Sequence, residues 1–103
     1  MDENNAIALD CVREVKYPEI LELKRYCDKI EVEAKLQYLF DGYLIRFNNG
    51  ADFIQHDGSY GHNAGYVEPA GFNDRDDYTA VSLSKAKTLV RKNKNRLNKI
   101  VRI

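Results

Sequence analysis

Between residues 31 and 53 the apolar positions recur at every second residue, and this pattern limits the possible folds more than any other feature of the chain. Val32, Ala34, Leu36, Tyr38 and Phe40 alternate with Glu31, Glu33, Lys35 and Gln37, and a period of two sends the two sets to opposite faces of a strand. The run ends in Asp41-Gly42, a dipeptide suited to the centre of a type I′ hairpin, where both residues take positive φ. A two-residue loop at that position predicts Phe40 opposite Tyr43, Tyr38 opposite Ile45 and Leu36 opposite Phe47, with every apolar residue on one face. Asn48-Asn49-Gly50 marks a second turn. A three-residue loop with Gly50 at positive φ sets Phe47 against Ala51, Ile45 against Phe53 and Arg46 against Asp52 as an outer charge pair, whereas a two-residue loop would turn Asp52 into the core.

Helical signals flank this meander. Residues 5–17 read two ways: Ile7, Leu9, Cys11, Val15 and Tyr17 alternate like a strand, while Ala8, Cys11, Val12 and Val15 form a helical stripe, and the helical reading is preferred. Tyr17-Pro18 breaks the segment, because a residue before proline is pushed out of the helical region while proline itself suits a first turn. Pro18 to Lys29 then reads as a helix, with Ile20, Leu23, Cys27 and Ile30 on one side. After the meander, Asp57 to Gly65 reads as a loop, Tyr66-Val67-Glu68 and the run to Phe72 as an edge strand carrying Pro69, and 73–77 as a charged turn. Tyr78 to Val81 could add a short strand. Ser82 or Ser84 can cap a final helix with Ala86, Leu89, Val90, Leu97, Ile100 and Val101 on one stripe. The expected fold class is α+β in a single domain: an N-terminal helical region, a central antiparallel meander of three to four strands, and a basic amphipathic C-terminal helix.

At 103 residues with 44% apolar and 31% charged side chains, the chain can bury one core without a second domain. No apolar stretch approaches the roughly 20 residues that cross a bilayer, and Met1-Asp2-Glu3-Asn4-Asn5 lacks a basic region ahead of an apolar one, so no membrane partner is expected. Cys11 and Cys27 form no CxxC pair and read as buried free thiols of a cytoplasmic protein. Net charge is zero, yet residues 82–103 hold 8 of the 16 basic groups and no acidic one. Such a split suits either a basic contact face or a helix lying on the protein's own acidic surface.

Two segments could carry function. The first, from His56 to Gly65, contains both histidines and three glycines, and His56, Ser59, Tyr60, His62 and Asn63 could hydrogen-bond or stack on a ligand or partner. The competing reading is a structural loop with Tyr60 plugging the core. The second is the basic helix, where Lys85, Lys87, Arg91, Lys92, Lys94 and Arg96 are the candidate contacts, joined by Asn93, Asn95 and Asn98 if the partner is a nucleic acid. His56 and His62 with Asp52, Asp57 and Glu68 lack the spacing of a metal motif, and no cofactor is expected. Ser59 with His62 and Asp57 lacks a nucleophile elbow, so a non-enzymatic role is expected.

Phe47, Asn49, Gly50, Ser59, Tyr60, Gly61, Gly65, Glu68 and Ala70 together make a pattern F-x-N-G, S-Y-G, G and E-x-A. In this the chain resembles short uncharacterised proteins of bacteriophages and mobile elements, over roughly residues 43–90. The resemblance implies a stoichiometric binder of a host or defence component, of which an anti-CRISPR inhibitor is one form. A protein partner is therefore the first expectation, with a nucleotide or other small phosphorylated ligand, or DNA or RNA, as alternatives. A homodimer is a further expectation, formed through the Tyr66 strand or the apolar stripe of the last helix.

Overall fold

The structure, a computed structural model, describes residues 16–72 and 79–100; the ambiguous segment 5–17, apart from its last two residues, and the charged turn 73–77 lie outside the described residues. The order is α1 (Pro18–Lys29), β1 (Ala34–Leu39), β2 (Gly42–Phe47), β3 (Asp52–Gln55), a 3₁₀ turn at His62–Ala64, β4 (Glu68–Ala70), α2 (Leu83–Lys92) and α3 (Lys94–Asn98). The four strands form an antiparallel meander in sequence order, so the chain has the expected α+β fold.

Helix α1 begins where Tyr17-Pro18 requires and buries Ile20, Leu23 and Cys27. Its end is a Schellman motif: the Val32 N–H donates to the Cys27 carbonyl at 2.8 Å and the Glu31 N–H to the Asp28 carbonyl at 3.2 Å. This geometry puts Glu31 at φ 64°, a position where glycine is the usual residue. Burial pushes the Cys27 thiol up to about 12, so it stays protonated as a core side chain.

The second turn follows the sequence reading. Arg46 pairs with Asp52 and Ile45 with Phe53, Gly50 sits at φ 93°, and the Asn49 carboxamide oxygen accepts the Ala51 N–H at 3.0 Å. The first turn differs from it. Leu36 pairs with Ile45, Tyr38 with Tyr43 and Leu39 with Gly42, so the I′ turn is centred on Phe40-Asp41, at φ 49° and 60°, and not on Asp41-Gly42. The physical reason is space. A Cβ on Gly42 would stand 2.1 Å from the Gln55 carbonyl oxygen and 2.5 Å from the His56 Cα. Gly42 is therefore used for close approach to β3 and starts the strand, leaving Phe40 to supply the turn. The slip of two residues preserves the face of every side chain.

Ile45, Phe47 and Phe53 line the inner face of the sheet and are buried with Phe72, Val67 and the apolar sides of α1 and α2 in a single core. Strand β4 starts at Glu68, not Tyr66; Val67 instead exchanges both backbone hydrogen bonds with Val81, at 2.9 and 2.8 Å, which ties the approach to α2 to the sheet. The Ser82 hydroxyl caps α2 by accepting the Lys85 N–H at 3.1 Å. The C-terminal helix expected as one unit is two, because Asn93 leaves helical geometry and its side chain donates to the Leu89 carbonyl at 2.8 Å. The apolar stripe ends at buried Leu97; Ile100 is exposed and Val101 lies outside the described residues.

Candidate functional site

The His56–Gly65 loop is assembled mainly by its own backbone and by the start of α1. The Ser59 hydroxyl accepts the His56 N–H and donates to the His56 carbonyl, both at 3.0 Å, and the His56 ring accepts the Gly58 N–H at Nδ1, also at 3.0 Å. Both side chains are buried. Gly65 closes the loop at φ 79°, and a Cβ there would stand 2.9 Å from a Glu19 carboxylate oxygen. His56 and Ser59, read from the sequence as ligand contacts, are thus turned inward to hold the loop together.

The N-terminus of α1 supplies the rest. Tyr17 occupies the cap position without capping the helix, and buried Gln55 of β3 does so in its place: its side-chain oxygen accepts the Ile20 N–H and its amide donates to Glu19, both at 2.9 Å. The Tyr17 hydroxyl donates to Asp57, which also holds the Lys16 ammonium at 2.8 Å. His62 Nδ1 lies 3.1 Å from the same hydroxyl. The hydroxyl's one proton is directed at Asp57, so His62 must carry a proton on Nδ1 and donate it to the Tyr17 oxygen. Lys16 and the Tyr17 hydroxyl hold the Asp57 carboxyl below the usual aspartate range, and Asp57 in turn raises Tyr17 and Lys16. Tyr17 stays neutral and Asp57 ionised, with Ser59 hydrogen-bonded elsewhere. The triad-like grouping of Ser59, His62 and Asp57 is thereby split between two separate hydrogen-bond systems.

Beside this loop the molecule presents an aromatic surface. The Asp57 N–H donates to the Phe40 carbonyl at 3.1 Å, and the Phe40 ring meets His56 edge to face at 5.2 Å, so the tip of the β1–β2 hairpin is docked on the loop. Tyr38 packs edge to face on Tyr43 at 5.5 Å and donates its hydroxyl to Asp41 at 2.9 Å. Leu36, Tyr38 and Phe40 are nevertheless 41%, 63% and 70% exposed. Leu36 and Tyr38 belong to the inner face of the sheet by register, opposite Ile45 and Tyr43, and Phe40 follows them in the turn; β1 is an edge strand, and they lie beyond the buried part of that face. Tyr60 does not plug the core: its ring is 75% exposed, while its N–H is held by Glu68 at 3.0 Å. Asn63 is exposed on the 3₁₀ turn.

Among the candidate residues of the C-terminal helices, Lys85, Arg91, Lys92 and Arg96 are exposed, Lys94 and Lys87 half-buried. Lys87 bonds Glu22 of α1 at 2.9 Å, and Arg96 bonds Asn93 at 2.8 Å. Asn98 is structural: its side chain accepts the Glu33 N–H at 2.8 Å and donates to the Glu31 carbonyl at 3.2 Å, fastening α3 to the start of β1. Across the groove from α2, helix α1 contributes Arg25, Tyr26 and Lys29, none of which the sequence reading singled out as a candidate contact.

Among the described residues no three His, Cys, Asp or Glu side chains gather as a metal-binding set, and no helix is long and apolar enough to cross a membrane. Comparison of the chain with family models, with curated proteins and with solved structures gives no match. The F-x-N-G, S-Y-G, G, E-x-A pattern can still be weighed residue by residue. Phe47 is core, Asn49 caps a turn, Ser59 closes one, Gly50, Gly61 and Gly65 take positive φ, Glu68 receives the Tyr60 N–H, and Ala70 pairs with Asp52. Each of these has a structural task. Tyr60 is the exception, since its exposed ring contributes little to the fold.

Proposed function

We propose that this protein is a non-enzymatic, phage-type binding protein that inhibits a host or defence protein stoichiometrically, and that it takes hold of that partner along β1 and the hairpin tip. The observation that carries this reading is the exposed Leu36 and Tyr38 on an edge strand, continued by exposed Phe40 at the hairpin tip. Soluble proteins usually blunt such an edge, because unpaired backbone groups beside apolar side chains invite pairing with another chain. Aromatic side chains are also the commonest anchors of protein interfaces. Phe40 adds a second sign: a bulky residue at φ 49° is strained, and strain at an exposed position is retained where the side chain is used. Tyr60, on the loop that meets this hairpin, is the adjoining contact.

The test is formation of a defined complex with a purified host or defence protein, followed by light scattering after size-exclusion chromatography. The wild-type chain is expected to form a complex of fixed stoichiometry. Tyr38→Ala and Phe40→Ala, which remove exposed side chains, should keep the circular dichroism of the wild type and weaken the complex at least tenfold, as truncated aromatic anchors do (about 2 kcal/mol or more). Undiminished binding by the double variant would overturn the assignment of this surface. A wild-type chain that elutes as a β1-paired dimer, dispersed by the same substitutions, would replace the partner with a second copy.

A further inference from the structure

We infer that the groove between α1 and α2 is a binding site for a nucleoside phosphate. Two adjoining cavities, of about 340 and 200 Å³, lie along this groove and share Tyr26 and Lys87 as walls. The volume of the larger is that of a small-ligand site. Four cations line the pair, Arg25 and Lys29 from α1 and Lys87 and Arg91 from α2, against a single carboxylate, Glu22. That carboxylate is engaged by Lys87 at 2.9 Å, which holds it in its charged form. Among the described residues no carboxylate pairs with Lys29 or Arg91.

The chemistry of the lining divides along the groove. The cations provide charge-assisted donors for phosphate oxygens, and Arg91 can offer two parallel N–H groups to one phosphate. Leu83 and the half-buried Tyr26 provide an apolar and aromatic wall for a planar base, and the Ser84 hydroxyl adds a donor at its rim. Lys87 lies over the Tyr26 ring, 5.5 Å from its centroid, while it bonds Glu22, so its ammonium is held at the shared wall of the two cavities. A small phosphorylated ligand fits better than a nucleic-acid strand, because the chain as a whole has no net charge and four cations from two helices converge on this one groove.

The experiment is thermal denaturation and calorimetry of the full chain with AMP, ATP, inorganic phosphate and a single-stranded oligonucleotide as probes, repeated on Lys29→Glu and Arg91→Glu. Both substitutions lie on exposed helix positions and should leave folding intact. The expected result is a midpoint raised by AMP or ATP at millimolar concentration, and an affinity about tenfold weaker in either variant. Phe40→Ala should leave this binding unchanged, which separates it from the β1 surface. Absence of a shift with either nucleotide would overturn the inference. So would a shift that both charge reversals leave intact, an equal response to inorganic phosphate, or binding of the oligonucleotide alone.

Discussion

At the scale of single residues, two positions show how backbone geometry and space select side chains differently. Glu31 adopts the left-handed conformation that closes the Schellman motif, where its Cβ is crowded against backbone and no glycine relieves it. Replacing it should help: Glu31→Gly is expected to raise stability by about 1 kcal/mol, read as a higher urea midpoint at unchanged slope. Gly42 is the opposite case. Its φ is ordinary, but a Cβ would collide with the backbone of Gln55 and His56, which cannot swing aside as a long side chain could. Gly42→Ala should therefore cost about 2–3 kcal/mol and move the β2–β3 amide resonances, an overpacking effect. From the sequence, Gly42 was readable as special, but for the wrong reason: Asp-Gly is the usual signal of positive φ, and steric approach to Gln55, distant in the chain, leaves no local mark. Gln55 was similarly hidden. It falls on the apolar phase of its strand, and only the docking of α1 against β3 supplies the N–H that its side chain caps.

At the scale of elements, the hairpin β1–β2 links stability to the proposed function. The turn demands positive φ at Phe40, which asparagine tolerates and phenylalanine does not. Phe40→Asn is expected to stabilise the fold by about 1 kcal/mol while weakening capture of the partner, so thermal midpoint and affinity should move in opposite directions. Loss of both would place Phe40 in the core energetics and count against the binding surface. The C-terminal helices carry a related lesson. Continuous helical spacing from Ala86 to Leu97 suggested one element, and the buried residues do follow that spacing, yet Asn93 interrupts the backbone by bonding to Leu89. Asparagine's competition with the helix is visible in the sequence as a tendency; whether it prevails depends on the docking of α3 by Asn98.

At the scale of the whole molecule, the Lys16–Tyr17–Asp57 cluster joins the start of α1 to the loop after β3, and its ionisation couples folding to pH. Asp57 has a lower pKa folded than unfolded, so its contribution is complete above about pH 4 and is lost as pH falls through the folded value. Tyr17 and Lys16 are raised, so theirs is complete below about pH 10 and is lost as pH rises through their folded values. Chemical denaturation across this range should show both limbs, and Asp57→Asn should flatten them together, whereas substitution of the exposed Lys92 should alter neither. Lys16 and Asp57 are solvent-exposed while Tyr17 is buried, so salt should reduce the Lys16–Asp57 part of the effect.

The amino-acid pattern by itself determined most of the secondary elements and their order: α1 from Pro18, the period-two strands, the three-residue turn at Gly50 and a serine cap for α2, but not the break at Asn93. These depend on interactions between near neighbours, which sequence spacing records. The tertiary structure alone decided that Phe40 is the turn residue, that His56 and Ser59 face inward, that Tyr60 faces out, and that Arg25, Tyr26 and Lys29 share a groove with Lys87 and Arg91. Each of those outcomes comes from a contact between segments far apart in the chain, where close approach and burial, not local propensity, set which side chain is left to meet a partner.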